Sequence, residues 1–332
     1  MMNAKENMKN LLAKNGSITL FLCLALIIII SIGSNIFWSR DNLNSLQTSI
    51  APTAIVAFGM CMLLICGVFD LSVGSIMAFS GMIAARLFVL PIPVPVIILI
   101  GLMSGAFVGL INGLLVGTLK INPLIATIGT MGSVQGVTQL IFAAQSKGQA
   151  EYAYVLKLPE AFIRLGTDKF IGLYYMFWVM LVLLAAVTIF LRYAPAGRKM
   201  YLTGDNIEAA KLMGFNTSRI ILLTYVFTGF LCAVAGLLSV ARFEQANRYL
   251  GEGMNLLAII SCILGGASFI GGRGSALGTL GGVVCMSLIT NMFNLFEVKS
   301  SWQSIVVGFI LIAVVTIDGY LILRKQRELG KV

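Results

Sequence analysis

Residues 192–219 read RYAPAGRKMYLTGDNIEAAKLMGFNTSR. The stretch is polar and basic, and a hydrophobic run long enough to cross a bilayer lies on either side of it. Its charge places it on the cytoplasmic side of a membrane, because lysine and arginine collect where they need not be translocated. Within it, Gly204-Asp205-Asn206 offers a turn and a cap. Glu208-Ala209-Ala210-Lys211-Leu212-Met213 is helix-forming, and Gly214 is a natural stop. The expectation is one helix of about two turns, lying along the membrane surface. An ordinary amphipathic connector has the same local signature.

The rest of the chain supplies the membrane. It has 332 residues, 58% of them hydrophobic and only 11% charged, with a mean hydropathy of +0.96. Soluble domains carry about 25% charged residues, so the class is an all-α polytopic membrane protein whose constant partner is lipid. The net charge of +10 reflects the cytoplasmic bias of basic residues, and nucleic acid is not an expected partner. Six cysteines lie in or at the edges of apolar segments with no C-x-x-C pair, and read as packing residues. There is no histidine, which removes His-based triads, His metal sites and the commonest general base. No metal site and no catalytic residue are expected.

Apolar runs give about ten spans, near 17–37, 46–66, 71–90, 94–118, 121–144, 169–191, 220–241, 255–272, 276–298 and 301–323. The first reads as a retained anchor, because its apolar run is long enough to span and no small-residue cleavage site follows. With the N-terminus inside, fourteen lysines and arginines fall on the cytoplasmic side and eight outside, with Arg86 inside a span. That bias favours both termini inside. Residues 1–332 therefore read as a single transmembrane domain with the loop 192–219 set in it. Two outer segments, 145–168 and 242–254, are longer than a turn. The first is expected to hold a short interfacial helix, and either is read as a docking segment or a plain solvated connection.

Several patterns lie inside the spans. Gly101, Gly105, Gly109, Gly113 and Gly117 repeat every four residues and mark a face where another helix backbone comes close. Gly265-Gly266-Ala267-Ser268-Phe269-Ile270-Gly271-Gly272-Arg273-Gly274-Ser275 lacks the Gly-Lys-Ser/Thr ending of a phosphate loop and reads as a sharply turned helix pair near the cytoplasmic face. Asp70, with Ser72 and Gly74 after it, suits the N-cap of the third span; a transport role is the alternative. The breaks at Asp70 and at Gly271–Ser275 fall in corresponding halves, as in proteins built from an internal repeat. Neutral polar side chains at membrane depth, namely Asn112, Thr127, Thr130, Gln135 and Asn291, suit the path of a polar, uncharged solute. They suit hydrogen bonding between helices equally well.

These motifs, in this order, resemble one family. Gly67-Val-Phe-Asp70-Leu-Ser-Val-Gly-Ser75, Gly109-Leu-Ile-Asn112-Gly-Leu-Leu-Val116, Lys120-Ile-Asn-Pro-Leu-Ile-Ala-Thr127-Ile-Gly-Thr-Met131, Gly197-Arg198 through Gly214, and Leu264 through Ser275 are similar to the permease subunits of ribose-type, binding-protein-dependent ABC importers. The resemblance implies an importer-type fold of ten helices in pseudo-symmetric halves. It makes the loop the coupling segment, with Gly204, Asn206, Glu208, Ala209, Ala210, Lys211 and Gly214 at the contact with a cytoplasmic ABC ATPase. ATP and Mg would sit on that partner and no cofactor on this chain. An extracytoplasmic solute-binding protein would deliver a sugar or similar small polar solute. A second permease chain, identical or homologous, would complete the pathway in the inner membrane of a prokaryote. The segment Asn255-Leu-Leu257-Ala-Ile-Ile-Ser261 departs from the family's usual Glu-Leu-Asp-Ala-Ile-Ala-Ala by lacking both carboxylates. From other classes, the alternatives are an ion-gradient-driven transporter or facilitator, and a membrane scaffold that moves nothing.

Overall fold

A helix that is apolar around its whole circumference belongs in the interior of a bundle. Residues 51–66 meet that description, and all of them are buried. They form the greater part of α2 (Arg40–Ile65), the axis of a computed structural model that describes residues 4–146, 154–155 and 158–328, with side chains described for 19–143, 158–316 and 318–320. Helices α7 (Tyr175–Tyr193), α10 (Thr217–Phe243), α11 (Met254–Leu264) and α12 (Ala276–Leu295) pack around it. Outside these lie α1 (Ala4–Gly33), α3 (Val73–Leu87), α4 (Val94–Gly113), α5 (Pro123–Ser146) and α13 (Ser300–Glu328). The short elements are α6 (Glu160–Thr167), α8 (Pro195–Asp205) and α9 (Ile207–Leu212), and the two-residue strands β1 (Tyr154–Val155), β2 (Lys169–Phe170), β3 (Leu173–Tyr174) and β4 (Gln245–Ala246). All six cysteines are free and buried.

Each of the ten apolar segments contains a helix. Among the described residues, seven helices are long and apolar enough to cross a membrane, and three apolar stretches, Thr19–Gly33, Val73–Leu87 and Met254–Leu264, are shorter. Three boundaries need correction. The third segment, expected from 71, becomes helical at Val73, because residues 66–72 run as irregular chain. The sixth, expected from 169, starts at Tyr175; β2 and β3 form a hairpin turned by Ile171 and Gly172, both at positive φ. The eighth, expected to reach 272, ends at Leu264, where the glycine-rich loop begins.

The glycine ladder of α4 lies along α10. From one end to the other its members meet Leu237, the Gly229 carbonyl and Ala233, Tyr225, Leu222 and Ser218, so the two helices run antiparallel. A four-residue repeat drifts by about 40° per step on a helix of 3.6 residues per turn. Five such residues cannot all face one neighbour on an ideal straight helix. The chain meets this with a single π turn at Leu114–Thr118, which underwinds the end of α4 and keeps Gly117 against the Ser218 carbonyl.

Both of the longer connections, 145–168 and 242–254, differ from plain solvated loops. α6 rests on α10 through Gly166, which meets the backbone of Ala241 and Arg242, and reaches the end of α3 through Phe162, whose ring lies tilted against that of Phe88 with centroids 4.6 Å apart. It is the expected short helix of segment 145–168; residues 147–153, 156 and 157 of that segment lie outside the described residues. The chain after α10 pairs β4 with β1 and then folds back between the helices, until the Gly251 carbonyl meets Gly74 in the first turn of α3. α11 starts three residues after that contact, at Met254.

Candidate functional site

The loop 192–219 holds two helices, not one. Pro195, at the first position of α8, starts a helix that residues 195–205 complete. Gly204 is therefore not a turn residue. It lies in the last turn of α8, pressed on the Ile65 carbonyl at the end of α2, so that a Cβ there would overlap that oxygen and approach the Gly272 nitrogen. Asn206 separates the helices. Its side-chain oxygen accepts hydrogen bonds from the N–H groups of Glu208 (3.1 Å) and Ala209 (3.0 Å), capping α9. Gly214, at φ +79°, ends α9 in open space, and the Phe215 N–H closes the turn on the Ala210 carbonyl at 3.1 Å.

The surface of this hairpin sorts the sequence candidates. Glu208 and Lys211 pair on the exposed face at 2.7 Å. Ala210 is fully buried within the chain, so its methyl group is not available to an outside partner. Leu212 and Met213 are exposed apolar residues at the tip, Leu212 by 90%. In the sequence both are only helix-forming residues; a leucine on the outer face of a short polar helix is the available signal. Lys120, between α4 and α5, is exposed, and partial desolvation together with the nearby Lys211 ammonium holds it below the usual lysine value.

The hairpin is fixed to the bundle where three backbones meet. The Gly272 N–H donates to the Ile65 carbonyl at 3.0 Å, Gly271 abuts Gly204, and the Tyr201 hydroxyl donates to the Gly274 carbonyl at 2.8 Å. Gly265, Gly266, Gly271, Gly272 and Gly274 thus belong to one loop between α11 and α12. Gly271 needs its positive φ of +112° to pass between Gly67 and Gly204. Asp318 of α13 accepts the Phe269 N–H at 3.1 Å. The Thr19 hydroxyl of α1 donates to the Leu264 carbonyl at 2.7 Å. Thr19 of α1 and Asp318 of α13 therefore lie on the side of the bundle that carries α8 and α9.

Beyond this junction the irregular segment 66–72 contains a buried knot. Asp70 is fully buried but is not the N-cap of α3, which is Ser72. Its carboxylate accepts from the Ser72 N–H (2.7 Å), the Ser72 hydroxyl (2.6 Å) and the Asn112 amide (3.0 Å). The Leu71 N–H donates to the Thr127 hydroxyl at 3.1 Å, and the Tyr225 hydroxyl donates to the Phe69 carbonyl at 2.6 Å. The break in the helix leaves backbone groups without helical partners, and these side chains satisfy them.

The five sequence-selected polar residues therefore part company. Asn112 and Thr127 hold the knot. Thr130 bonds back to the Ala126 carbonyl at 2.9 Å. Asn291 exchanges side-chain hydrogen bonds with Asn42 of α2, at 2.6 and 3.3 Å. Gln135 alone of the five lines a cavity of about 440 Å³ between α3, α5 and residues 248–255.

A bundle of apolar helices with an exposed polar hairpin seated on its central helix has the architecture of a polytopic membrane permease. A family model described as "Branched-chain amino acid transport system / permease component" matches residues 42–315, and the chain belongs to that family. It is 32% identical over 305 residues to the ribose import permease protein RbsC of Haemophilus influenzae, covering 91% of this chain and 93% of the relative. It is 28% identical to the autoinducer 2 import system permease protein LsrC of Photorhabdus luminescens (95% and 93% covered) and 31% identical to the L-arabinose ABC transporter permease protein AraH of Azospirillum brasilense (99% and 94%). No solved structure matches the chain significantly. The protein is thus the inner-membrane permease component of an ABC importer, which works with a separate ATPase and a solute-binding protein. A gradient-driven transporter acting alone is set aside.

Proposed function

We propose that this permease imports a neutral monosaccharide or a closely related small polyol, and that α8–α9 is the lever through which its ATPase drives it. The observation that carries the lever is the three-backbone junction of Gly204, Ile65 and Gly272. Backbone seated on backbone has no side-chain rotamer to absorb displacement, so motion of the hairpin passes directly to α2 and to the α11–α12 loop. In this reading Glu208, Lys211, Leu212, Met213 and Gly214 meet the ATPase, Asn206 holds the tip in shape, and ATP with Mg binds on the partner. Residues 192–219 and both termini are cytoplasmic.

Relatives named for ribose, arabinose and autoinducer 2 favour a polyhydroxylated solute over the amino acids in the family description. A second permease chain stands against α5. That helix exposes Ser133, Gln135 and Gln139, and Gly129, Gly132 and Gly136 have nothing within 4 Å, which is the small-residue surface that close helix contacts use in lipid. The test is uptake by the assembled importer in proteoliposomes. Labelled D-ribose or L-arabinose should enter with ATP and binding protein present, stop when hydrolysis is blocked by vanadate, and persist when ionophores collapse ion gradients. Uptake of leucine but neither sugar would overturn the substrate assignment.

A further inference from the structure

The cavity bounded by α3, α5 and the inserted segment 248–255 holds polar groups that the coupling machinery does not use. Ser75 is buried to all but 6% of its surface, yet its hydroxyl has no hydrogen-bond partner among the described residues. Of the buried hydroxyls elsewhere in the bundle, Thr127, Thr138, Thr224 and Ser239 donate to the carbonyl four residues back, and Thr188, Ser261 and Thr279, which are also unpartnered, do not line this cavity. Ser75 stands in the first turn of α3, after the break, where no helical carbonyl lies at that position. The Arg248 Nε is likewise buried and unpartnered. Its guanidinium lies 4.7 Å over the Tyr249 ring and donates to that hydroxyl at 2.7 Å, with no carboxylate in an ion pair among the described residues.

Two helix N-termini open on the same space. Gly74 and Ser75 bring the start of α3, and Gly253 and Asn255 the start of α11. Neither helix has a side-chain hydrogen bond at its cap, so free amide hydrogens and the positive ends of two dipoles converge there. Around them stand the amides of Gln135, Gln139 and Asn255 and one carboxylate, Glu252. The volume lies within the ~300–1,000 Å³ usual for small-molecule sites.

We propose that this cavity is a binding station for a neutral monosaccharide ring on its way through the permease, with the Ser75 hydroxyl and Arg248 as its principal donors. The proposal rests on the transport reading above. Arg248 and the helix N–H groups add donors to the side-chain amides, which suits a solute rich in ether and hydroxyl oxygens. Glu252 accepts from sugar hydroxyls and repels anions, and the Tyr249 ring offers an apolar face to the ring C–H groups. Gly74 and Gly251 hold the inserted segment in place, because their backbones touch and a Cβ at either would collide with the other.

The test uses the full chain in nanodiscs of bacterial phospholipid, without ATPase or binding protein. Saturation-transfer NMR is recorded with D-ribose, L-arabinose and L-leucine as probes. Transfer to a sugar but not to leucine is expected. Ser75→Ala, which removes one oxygen without changing shape, should weaken it about fivefold or more, the affinity cost of one hydrogen bond. Arg248→Lys, which keeps charge but loses the fork, should weaken it similarly. No sugar signal from wild-type protein, or equal signals from wild type and both variants, overturns the station. Vesicle uptake separates the two readings: sugar uptake by an importer whose permease gives no such signal leaves the transport reading standing without the station. An importer that moves no sugar removes the transport reading itself.

Discussion

Gly204→Val tests whether the hairpin drives the bundle through its backbone junction. The added Cβ would overlap the Ile65 carbonyl oxygen, lie 2.8 Å from the Gly272 nitrogen and 2.9 Å from the Ile65 carbonyl carbon. None of these atoms belongs to a flexible side chain, so the end of α8 must move. Overpacking of this kind costs about 1–3 kcal/mol. Losing the 3.0 Å hydrogen bond from the Gly272 N–H to the Ile65 carbonyl adds about 1 kcal/mol. A shift of about 2–4 kcal/mol changes the ratio of seated to unseated hairpin by about 30- to 700-fold. The tip of α9 is untouched, so the ATPase should still bind. In proteoliposomes with both readouts taken together, ATP hydrolysis is expected to continue while sugar moved per ATP falls at least about tenfold. Gly172→Ala is the control: its φ of +79° makes alanine strained, but its surroundings are open and it lies in the β2–β3 turn, outside the coupling loop, so the cost stays near 1 kcal/mol. Wild-type uptake per ATP in Gly204→Val would refute the lever.

Asn206→Ala removes both cap bonds of α9 and should cost about 1 kcal/mol of local helix stability; uptake should fall several-fold and recover in Asn206→Ser. Asn42→Leu or Asn291→Leu leaves a buried amide without its partner, at about 1–3 kcal/mol each, so each lowers Tm, and the double variant should lower it by less than the sum. Asp70→Leu strands the Ser72 N–H, the Ser72 hydroxyl and the Asn112 amide, and should prevent accumulation of folded permease in membranes, whereas Asp70→Asn should accumulate. Lys120 titrates below its usual value in the folded protein, so its charged form opposes folding at neutral pH. Lys120→Gln should raise Tm slightly there, and the gain should vanish as pH rises toward the ordinary lysine value, where the wild-type side chain is also neutral.

Local signals in the sequence translated into local structure. The apolar runs became helices, the α4 ladder became a seam, and Asn206 and Gly214 capped α9 as their chemistry dictates. What the sequence hid depends on distant partners. Gly204 reads as a turn former beside Asp205 and Asn206, yet the Ile65 carbonyl makes it a packing residue inside a helix. Residues 242–254 carry four charges and read as a surface loop, but Gly74 gives their backbone a place between helices. Arg248 and Glu252 line a cavity for that reason alone. Asp70 looks like a cap because it precedes a helix; the irregular chain around it creates other amides for it to satisfy.

The segment 66–72 connects these features. At one end Gly67 meets Gly204 and the Ile270 carbonyl, and the Phe69 ring lies 5.2 Å from that of Phe269. At the other, Leu71 and the first turn of α3 border the cavity. Between them Asp70 is tied to Asn112 on α4, and Leu71 to Thr127 on α5. A helix through these residues would carry its own backbone hydrogen bonds and could move only as a rod. Irregular chain whose bonds go to three neighbouring elements must move with them or exchange partners. The break at Asp70 therefore does more than shorten α3: it gives the driven junction and the cavity a common set of hydrogen bonds.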